Sequence, residues 1–339
     1  MPTNYALRTP IYASAYNPTS GIQSAKLLLN ITGVGTPVYT IVKDAASSVR
    51  VVFEIAELLR DYLDISYIGA PQKITFTSTI QFFDAVNAGG SAVGSAIATT
   101  SGDGWEAYGL FTDGINPTLP FENIALPAWL IAEANPLASA NDRYFIYIPF
   151  DVAGKVSWID ASGNVAATNY IGTDTSIQPT GAPRLNITRI DCTKYGYGRM
   201  ITFINKYGVI QDLWFFLKRV KNINRTNESY QSNTITSTAS TVSYSQDNAP
   251  KKLFNTQAKQ TYTLSSGYYP ESANAFFEEL LLSEYVWYTR PDDTQPDTDE
   301  TIPVIVKTSS MIYKTSLNDR LIEYTIEFED TFDYINNIR

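Results

Sequence analysis

Paired carboxylates are the side chains in this sequence whose spacing could serve acid/base catalysis. Two pairs, Glu278 with Glu279 and Glu327 with Glu329, are candidates for the two carboxyl groups of a glycan-cleaving enzyme. The first pair points in two directions from a predicted helix, and the second lies on an exposed strand face, so neither predicts a cleft. The sequence contains no histidine, which removes histidine bases, histidine metal ligands and the Ser-His-Asp and Cys-His arrangements. We therefore predict a protein that is not an enzyme and carries no cofactor.

An acidic run at residues 292–300 would suit a hard cation. It contains five carboxylates, and Ca²⁺ prefers several carboxylate oxygens. The run lacks the spacing and the glycine of an EF-hand loop. We predict a solvated loop without a metal, and a cation site is the alternative.

Two charged clusters are candidates for an assembly interface. The basic cluster consists of Lys218, Arg219, Lys221 and Arg225, and the acidic cluster of Glu323, Glu327 and Glu329. The acidic residues alternate with apolar residues along the last strand, which places them on one face. We predict that the basic cluster of one subunit meets this acidic face on a neighbour. A solvated strand end is the alternative of equal weight.

The elements that position these residues lie in the last quarter of the chain. A helix is predicted near 271–282, followed by a short strand at 285–288 and two long strands at 302–315 and 321–332, joined by a turn at 317–320. Ile322, Tyr324, Ile326 and Phe328 share one parity on the final strand, so the core must lie under that face. The helix would cover it.

The rest of the chain also favours strands. Strands are predicted at 25–32, 36–43, 49–53 and 73–84, with a short helical stripe after residue 55 and a flexible Gly/Ala/Ser loop at 87–104. Further strands are predicted at 143–150, in a hairpin of 156–160 with 165–170, and in an antiparallel meander of 186–193, 199–205 and 209–220. Residues 225–246, rich in Ser, Thr and Asn, predict a mobile surface loop. An extended hairpin arm completed by a neighbour is the less favoured alternative.

Composition narrows the class of protein. Hydrophobic residues make up 44% and charged residues only 17%, with 23 tyrosines, which suits a β-rich protein covered by partners. The net charge of −9 argues against nucleic acid as a ligand. The sequence has no long apolar run and no signal-peptide pattern, so we expect no membrane and synthesis in a cytoplasm. The one cysteine, Cys192, is predicted to be a small buried filler.

Several of these segments, in this order, resemble a family of tailed-phage virion proteins. In the C-terminal half the matching segments are 200–208, 212–216, 276–283, 302–306, 324–329 and 334–339, and they resemble tail and baseplate proteins, some of them distal-tail-like. In the N-terminal part, segments 10–12, 53–63 and 111–117 resemble the fibronectin-III-like β-sandwich at the start of the same family.

The resemblance implies a mainly β fold in two domains. The first would be an N-terminal β-sandwich with a proline-containing connector at 1–135, and the second an antiparallel β domain with one packed helix at 136–339. It also implies a structural protein of the tail, baseplate or neck that forms a ring with copies of itself and contacts other virion proteins. A receptor- or carbohydrate-binding adhesin at the virion tip is the alternative function.

Overall fold

The computed structural model describes residues 3–35, 37–44, 50–67, 72–119, 126–127, 143–149, 154–159, 165–171, 176–177, 184–190, 198–291, 299–313 and 321–335. Within these ranges the chain is mainly β, as the sequence predicts, and only one helix has seven residues or more. Predictions for Cys192, the acidic run at 292–298, the turn at 317–320 and most of the connector lie outside the described residues.

The N-terminal part forms two β-sheets around one apolar core. Its elements are β1 (Thr3–Ala6), β2 (Tyr12–Tyr16), β3 (Ser24–Ile31), β4 (Tyr39–Asp44), β5 (Arg50–Glu54), α1 (Ala56–Arg60), β6 (Lys73–Phe83) and β7 (Ala92–Trp105). One sheet has the order β1-β7-β6-β3-β4, with β1 parallel to β7, and the other pairs β2 with β5. Alternate residues of both sheets enter a shared core. The arrangement is sandwich-like, as predicted.

The prediction of a flexible loop at 87–104 is wrong for most of that range. Residues 92–105 form β7, which pairs with β6 on one side and, near its end, with β1 on the other. Cross-strand pairing therefore outweighs the weak β-propensity of the small residues. At Gly102 an added Cβ would lie 2.0 Å from the carbonyl oxygen of Thr3. Glycine is required there because β1 runs so close to β7.

The middle of the chain contains two three-stranded sheets. Its strands are β8 (Leu126–Pro127), β9 (Arg143–Pro149), β10 (Gly154–Ile159), β11 (Val165–Ile171), β12 (Ser176–Ile177) and β13 (Arg184–Ile190). The predicted hairpin of β10 with β11 is confirmed. The predicted meander is wrong at its first strand, because β13 runs parallel to β9. Apolar alternation predicts that a segment is a strand, but it does not specify the partner.

The C-terminal part is built on a seven-stranded sheet with the order β15-β14-β21-β22-β24-β19-β16. Its elements are β14 (Arg199–Ile204), β15 (Ile210–Phe215), β16 (Arg219–Gln231), β17 (Ile235–Ser237), β18 (Val242–Tyr244), β19 (Lys251–Ser265), β20 (Tyr269–Pro270), α2 (Asn274–Leu282), β21 (Val286–Pro291), β22 (Asp299–Val306), β23 (Leu321–Ile322) and β24 (Thr325–Asp330). β22 and β24 pair antiparallel, as predicted. β22 stops well before residue 315, because the Thr308 hydroxyl accepts the N–H of Glu327 in place of a strand partner.

The predicted parity of the last strand is confirmed. Ile322, Tyr324, Ile326 and Phe328 are all buried. The predicted helix is also confirmed, and its Phe277 ring lies 4.8 Å from the ring of Tyr324, centroid to centroid. Helix α2 therefore covers the apolar face of the sheet.

The two parts of the chain share a core at their junction. Trp105, the last residue of β7, and Ala107, two residues later, are buried in the same apolar cluster as the C-terminal sheet. Gly208 has φ of +79°, and a Cβ there would lie 3.0 Å from the Cβ of Trp105. Both the left-handed backbone and the close approach favour glycine. The domain boundary near residue 135 stays a prediction, since residues 128–142 lie outside the described ranges.

Candidate assembly surface

The predicted basic cluster lies at an edge of the seven-stranded sheet. Arg219, Lys221 and Arg225 belong to the edge strand β16, Lys218 precedes it, and all four are exposed. An edge strand presents one row of backbone N–H and C=O groups that its own sheet does not pair. The cluster therefore borders a surface to which another polypeptide has access.

The residues of the basic cluster that belong to β16 share the parity of the core side of the sheet. Lys221 stands opposite Tyr262, which stands opposite the buried Phe328, and directly paired residues project from the same face. The Lys221 ammonium lies 5.9 Å from the centre of the Tyr262 ring. Arg219 has the same parity as Lys221. These side chains extend the sheet's apolar face with positive charge at its rim.

The predicted acidic residues lie on the other face. Glu323, Glu327 and Glu329 alternate with the buried Ile326 and Phe328 and are partly or fully exposed. The structure therefore does not bring the basic pair Arg219 and Lys221 together with the acidic cluster within one chain. The predicted contact between subunits stays a prediction.

Two of the three glutamates already have partners in their own chain. Glu323 accepts a hydrogen bond of 2.6 Å from the Ser265 hydroxyl. Glu329 forms ion pairs with Lys259 at 3.3 Å and Lys307 at 3.5 Å. The third glutamate, Glu327, is the exposed member of the set. It is therefore the residue of this face best placed to meet an external cation.

The favoured loop prediction for 225–246 is wrong, because the chain forms a hairpin arm there. We define the hairpin arm as residues 218–259: β16 pairs antiparallel with β19, and the small β17–β18 hairpin forms the tip. The register pairs Gln231 with Lys251 and Arg225 with Ala258. The pairing is completed within one chain, not by a neighbour as the arm alternative supposed. The many Ser and Thr side chains are compatible with this ribbon because both of its faces are exposed to solvent.

Beyond the sheet, the hairpin arm is a two-stranded ribbon. The pairing of β19 with β24 ends at Thr261 and Glu329, and the last backbone contact in that direction is the N–H of Tyr334 to the Ala258 oxygen, 2.8 Å. From Arg225 to Gln231 the ribbon runs roughly 20 Å at strand rise. All residues of β16 and residues 251–255 of β19 are exposed. The arm therefore contributes almost nothing to the core of its own chain.

The two carboxylates on α2 are both partly buried and make different contacts. The Glu279 carboxylate accepts the Lys206 N–H at 3.2 Å, whereas Glu278 accepts the Tyr313 hydroxyl. Burial raises the pKa of Glu279 to about 7, while the Lys206 N–H and ammonium oppose the rise and the Glu278 charge adds to it. The two carboxylates make separate contacts and do not converge on a cleft.

We expect Glu279 to make stability fall as pH rises. Its pKa is higher in the folded chain than its ordinary value of 4.5, so between about pH 4.5 and 7 the folded state holds a proton that the unfolded state has released. The loss should reach about 3 kcal/mol above pH 7. Glu279→Gln should remove this component and unfold at higher urea than the parent at pH 8, with a smaller difference at pH 4.5. Equal pH profiles for parent and variant would contradict the assignment.

An ion cluster at the junction of the two parts was not found from sequence. Glu106, buried to 3% exposure, lies 2.8 Å from the Arg60 guanidinium, which also lies 2.8 Å from Glu284. Arg8 lies 3.0 Å from Glu284 and 3.9 Å from Glu106. Burial raises the pKa of Glu106, and Arg60 opposes the rise. These residues are far apart in sequence, so no spacing pattern connects them.

No group of three or more His, Cys, Asp or Glu side chains is arranged to hold a metal ion in the described ranges. No helix in that part of the chain is both long and apolar enough to cross a membrane. The acidic run itself lies mostly among the undescribed residues, so the cation alternative stays open.

Comparison with known protein families, with curated proteins and with solved structures finds no match to this chain.

Proposed function

We propose that this protein is a non-enzymatic structural component of a tailed-phage virion, assembled in the host cytoplasm into a ring of the tail, baseplate or neck. The hairpin arm carries the proposal. A ribbon that exposes apolar side chains and leaves its own core intact is an element built for contact with another protein. The resemblance to tail and baseplate proteins supports the same function.

The architecture around the arm also supports a structural role. The arm continues directly from β16 and β19 of a sheet whose core is packed with aromatic rings. The junction between the two parts of the chain is filled by Trp105 and bridged by the Glu106 ion cluster. A stiff base gives the arm a defined direction, which repeated contacts in a ring require.

The proposal is tested by co-sedimentation with particles. An epitope-tagged copy expressed during infection should be found with density-gradient-purified virions, in a constant number per particle. A tagged chain that remains wholly in the soluble fraction of lysed cells would contradict the proposal.

A carbohydrate- or receptor-binding adhesin is the second candidate. The exposed Tyr230 and Phe254 rings lie 5.7 Å apart, centroid to centroid, on the hairpin arm. Aromatic faces of this kind would stack on sugar rings. Binding of the purified chain to a glycan array, lost in Tyr230→Ala, would favour the adhesin, and no binding would favour the ring component.

We expect Glu327→Lys to fold normally and to assemble poorly. The side chain is exposed on the face opposite the core, so the thermal midpoint should change little. Reversal of its charge should weaken contact with a basic neighbour most strongly at low salt. Incorporation into particles and sedimentation at several salt concentrations measure this. Normal assembly at every salt concentration would mean that the acidic face is only a solvated surface.

A further inference from the structure

We infer that the hairpin arm docks on the acidic body of a second copy of this chain, so that copies join head to tail. The inference deepens the proposed function by naming the arm's partner. Three observations carry it: the apolar face of the tip, the charge of the arm, and the exposure of the tip face, whose apolar side chains are 60–75% exposed in the described structure.

The tip of the arm presents one apolar face. Ile235 pairs with Tyr244, and Val242 pairs with Ser237 two residues further along, so these side chains project from the same side. The exposed fractions of Ile235, Val242 and Tyr244 are 60%, 75% and 69%. The opposite face carries Thr236 and Ser243. One side of the tip is thus suited to burial and the other to water.

The shaft also exposes large apolar side chains, but on both faces: Tyr230 and Phe254 project from one face and Leu253 from the other. The exposed apolar residues of the shaft are Ile223, Tyr230, Leu253 and Phe254. A long, flat and partly apolar ribbon edge is a recognised hazard for unwanted pairing in a monomer. Its retention here is explained if a partner covers it.

Charge selects the partner. Residues 218–259 contain seven basic and two acidic side chains, a net charge of +5, and four of the seven, Lys218, Arg219, Lys221 and Lys259, lie at the base of the arm. Because the whole chain carries −9, all other residues together carry −14. A basic arm and an acidic body attract each other, and the partner that always carries such a body at matching concentration is another copy.

Charge also selects the geometry. Two arms paired edge to edge would bring two groups of positive charge together, which disfavours a two-fold dimer through the arms. An arm on a body is instead a contact between two different surfaces. Contacts of this kind close into rings or continue as filaments, so one contact repeated around an axis generates the proposed ring.

The test compares two full-length variants that carry the same added charge. Ile235→Asp with Val242→Asp places two carboxylates on the apolar face of the tip, and Thr236→Asp with Ser243→Asp places two on the opposite face. Multi-angle light scattering after gel filtration should give a multiple of the chain mass for the parent and for the second variant. The first variant should weaken self-association at least tenfold, with an unchanged thermal midpoint.

A third chain tests the direction of the contact. Replacement of residues 227–256 by Asn-Gly closes β16 onto β19 with a two-residue turn, so this chain accepts an arm but donates none. Alone it should be a monomer, and added to the parent it should cap assemblies and reduce their mass. A parent that stays monomeric at low salt, a tip-face variant that assembles like the parent, or an armless chain that never joins would each overturn the inference.

Failure of this inference and failure of the proposed function give different results. A parent that is monomeric alone but present in virions would remove docking between copies and leave the function intact. A parent that self-assembles but is absent from virions would do the reverse.

Discussion

Ile326→Asp should unfold the C-terminal part of the chain. Ile326 is 2% exposed and stands opposite Leu264, on the sheet face that α2 covers. A carboxylate there would be buried among apolar side chains. Folding would then require either burial of its charge or protonation of the group well above its ordinary pKa, and both lower the free energy of unfolding. We expect a loss of roughly 4 kcal/mol or more. Urea denaturation followed by tryptophan fluorescence measures it, since Trp214 and Trp287 both lie in this sheet.

The neighbouring residue provides the control for this change. Glu327→Asp alters the adjacent position on the exposed face and should change the free energy of unfolding by less than about 0.5 kcal/mol. If Ile326→Asp unfolds at the same urea concentration as Glu327→Asp, the burial of this face is wrong.

Glu106→Ala should cause the second large loss of stability, because it removes negative charge from beside two arginines, Arg8 and Arg60, at the junction. The Arg60 guanidinium donates to both oxygens of Glu106, at 2.8 and 3.2 Å. Removal of one partner of a buried ion pair costs several kcal/mol, and Glu284 retains part of the compensation. We expect about 3 kcal/mol, measured by urea denaturation at neutral pH.

The matched change is Glu284→Ala, on the other side of the same arginines. Glu284 is about half exposed, so solvent already screens its charge. The loss of stability should therefore stay below about 1 kcal/mol. Similar losses for the two variants would mean that burial of Glu106 does not decide the strength of the cluster.

The parts of the fold predicted correctly from sequence are those with strong local patterns. The alternation of Ile326 and Phe328 with glutamates gives the buried face, and the spacing of Phe276, Phe277 and Leu280 gives the helix that covers it. These patterns are visible because a strand has a period of two residues and a helix a period of 3.6.

The failures all involve partners that are distant in sequence. β7 has small side chains and is held by its two neighbouring strands, and β13 is held by β9 some forty residues earlier. The part of the hairpin arm beyond the sheet lacks an apolar pattern of the kind that marks a buried strand, since both of its faces are exposed. Strand parity predicts the face on which Glu323, Glu327 and Glu329 lie, but not the ion pairs of Glu329, because that residue and its two lysines come from three separate strands or loops.

Copies of this chain are proposed to form a ring in the tail region of a virion. A cryo-EM reconstruction of the intact particle is the decisive measurement, because it shows position and symmetry together. We expect repeated copies around the tail axis, each with its hairpin arm lying on the body of the next copy. Density for this chain as isolated copies whose arms touch no neighbour, or no density for it in the particle at all, would contradict the proposed ring.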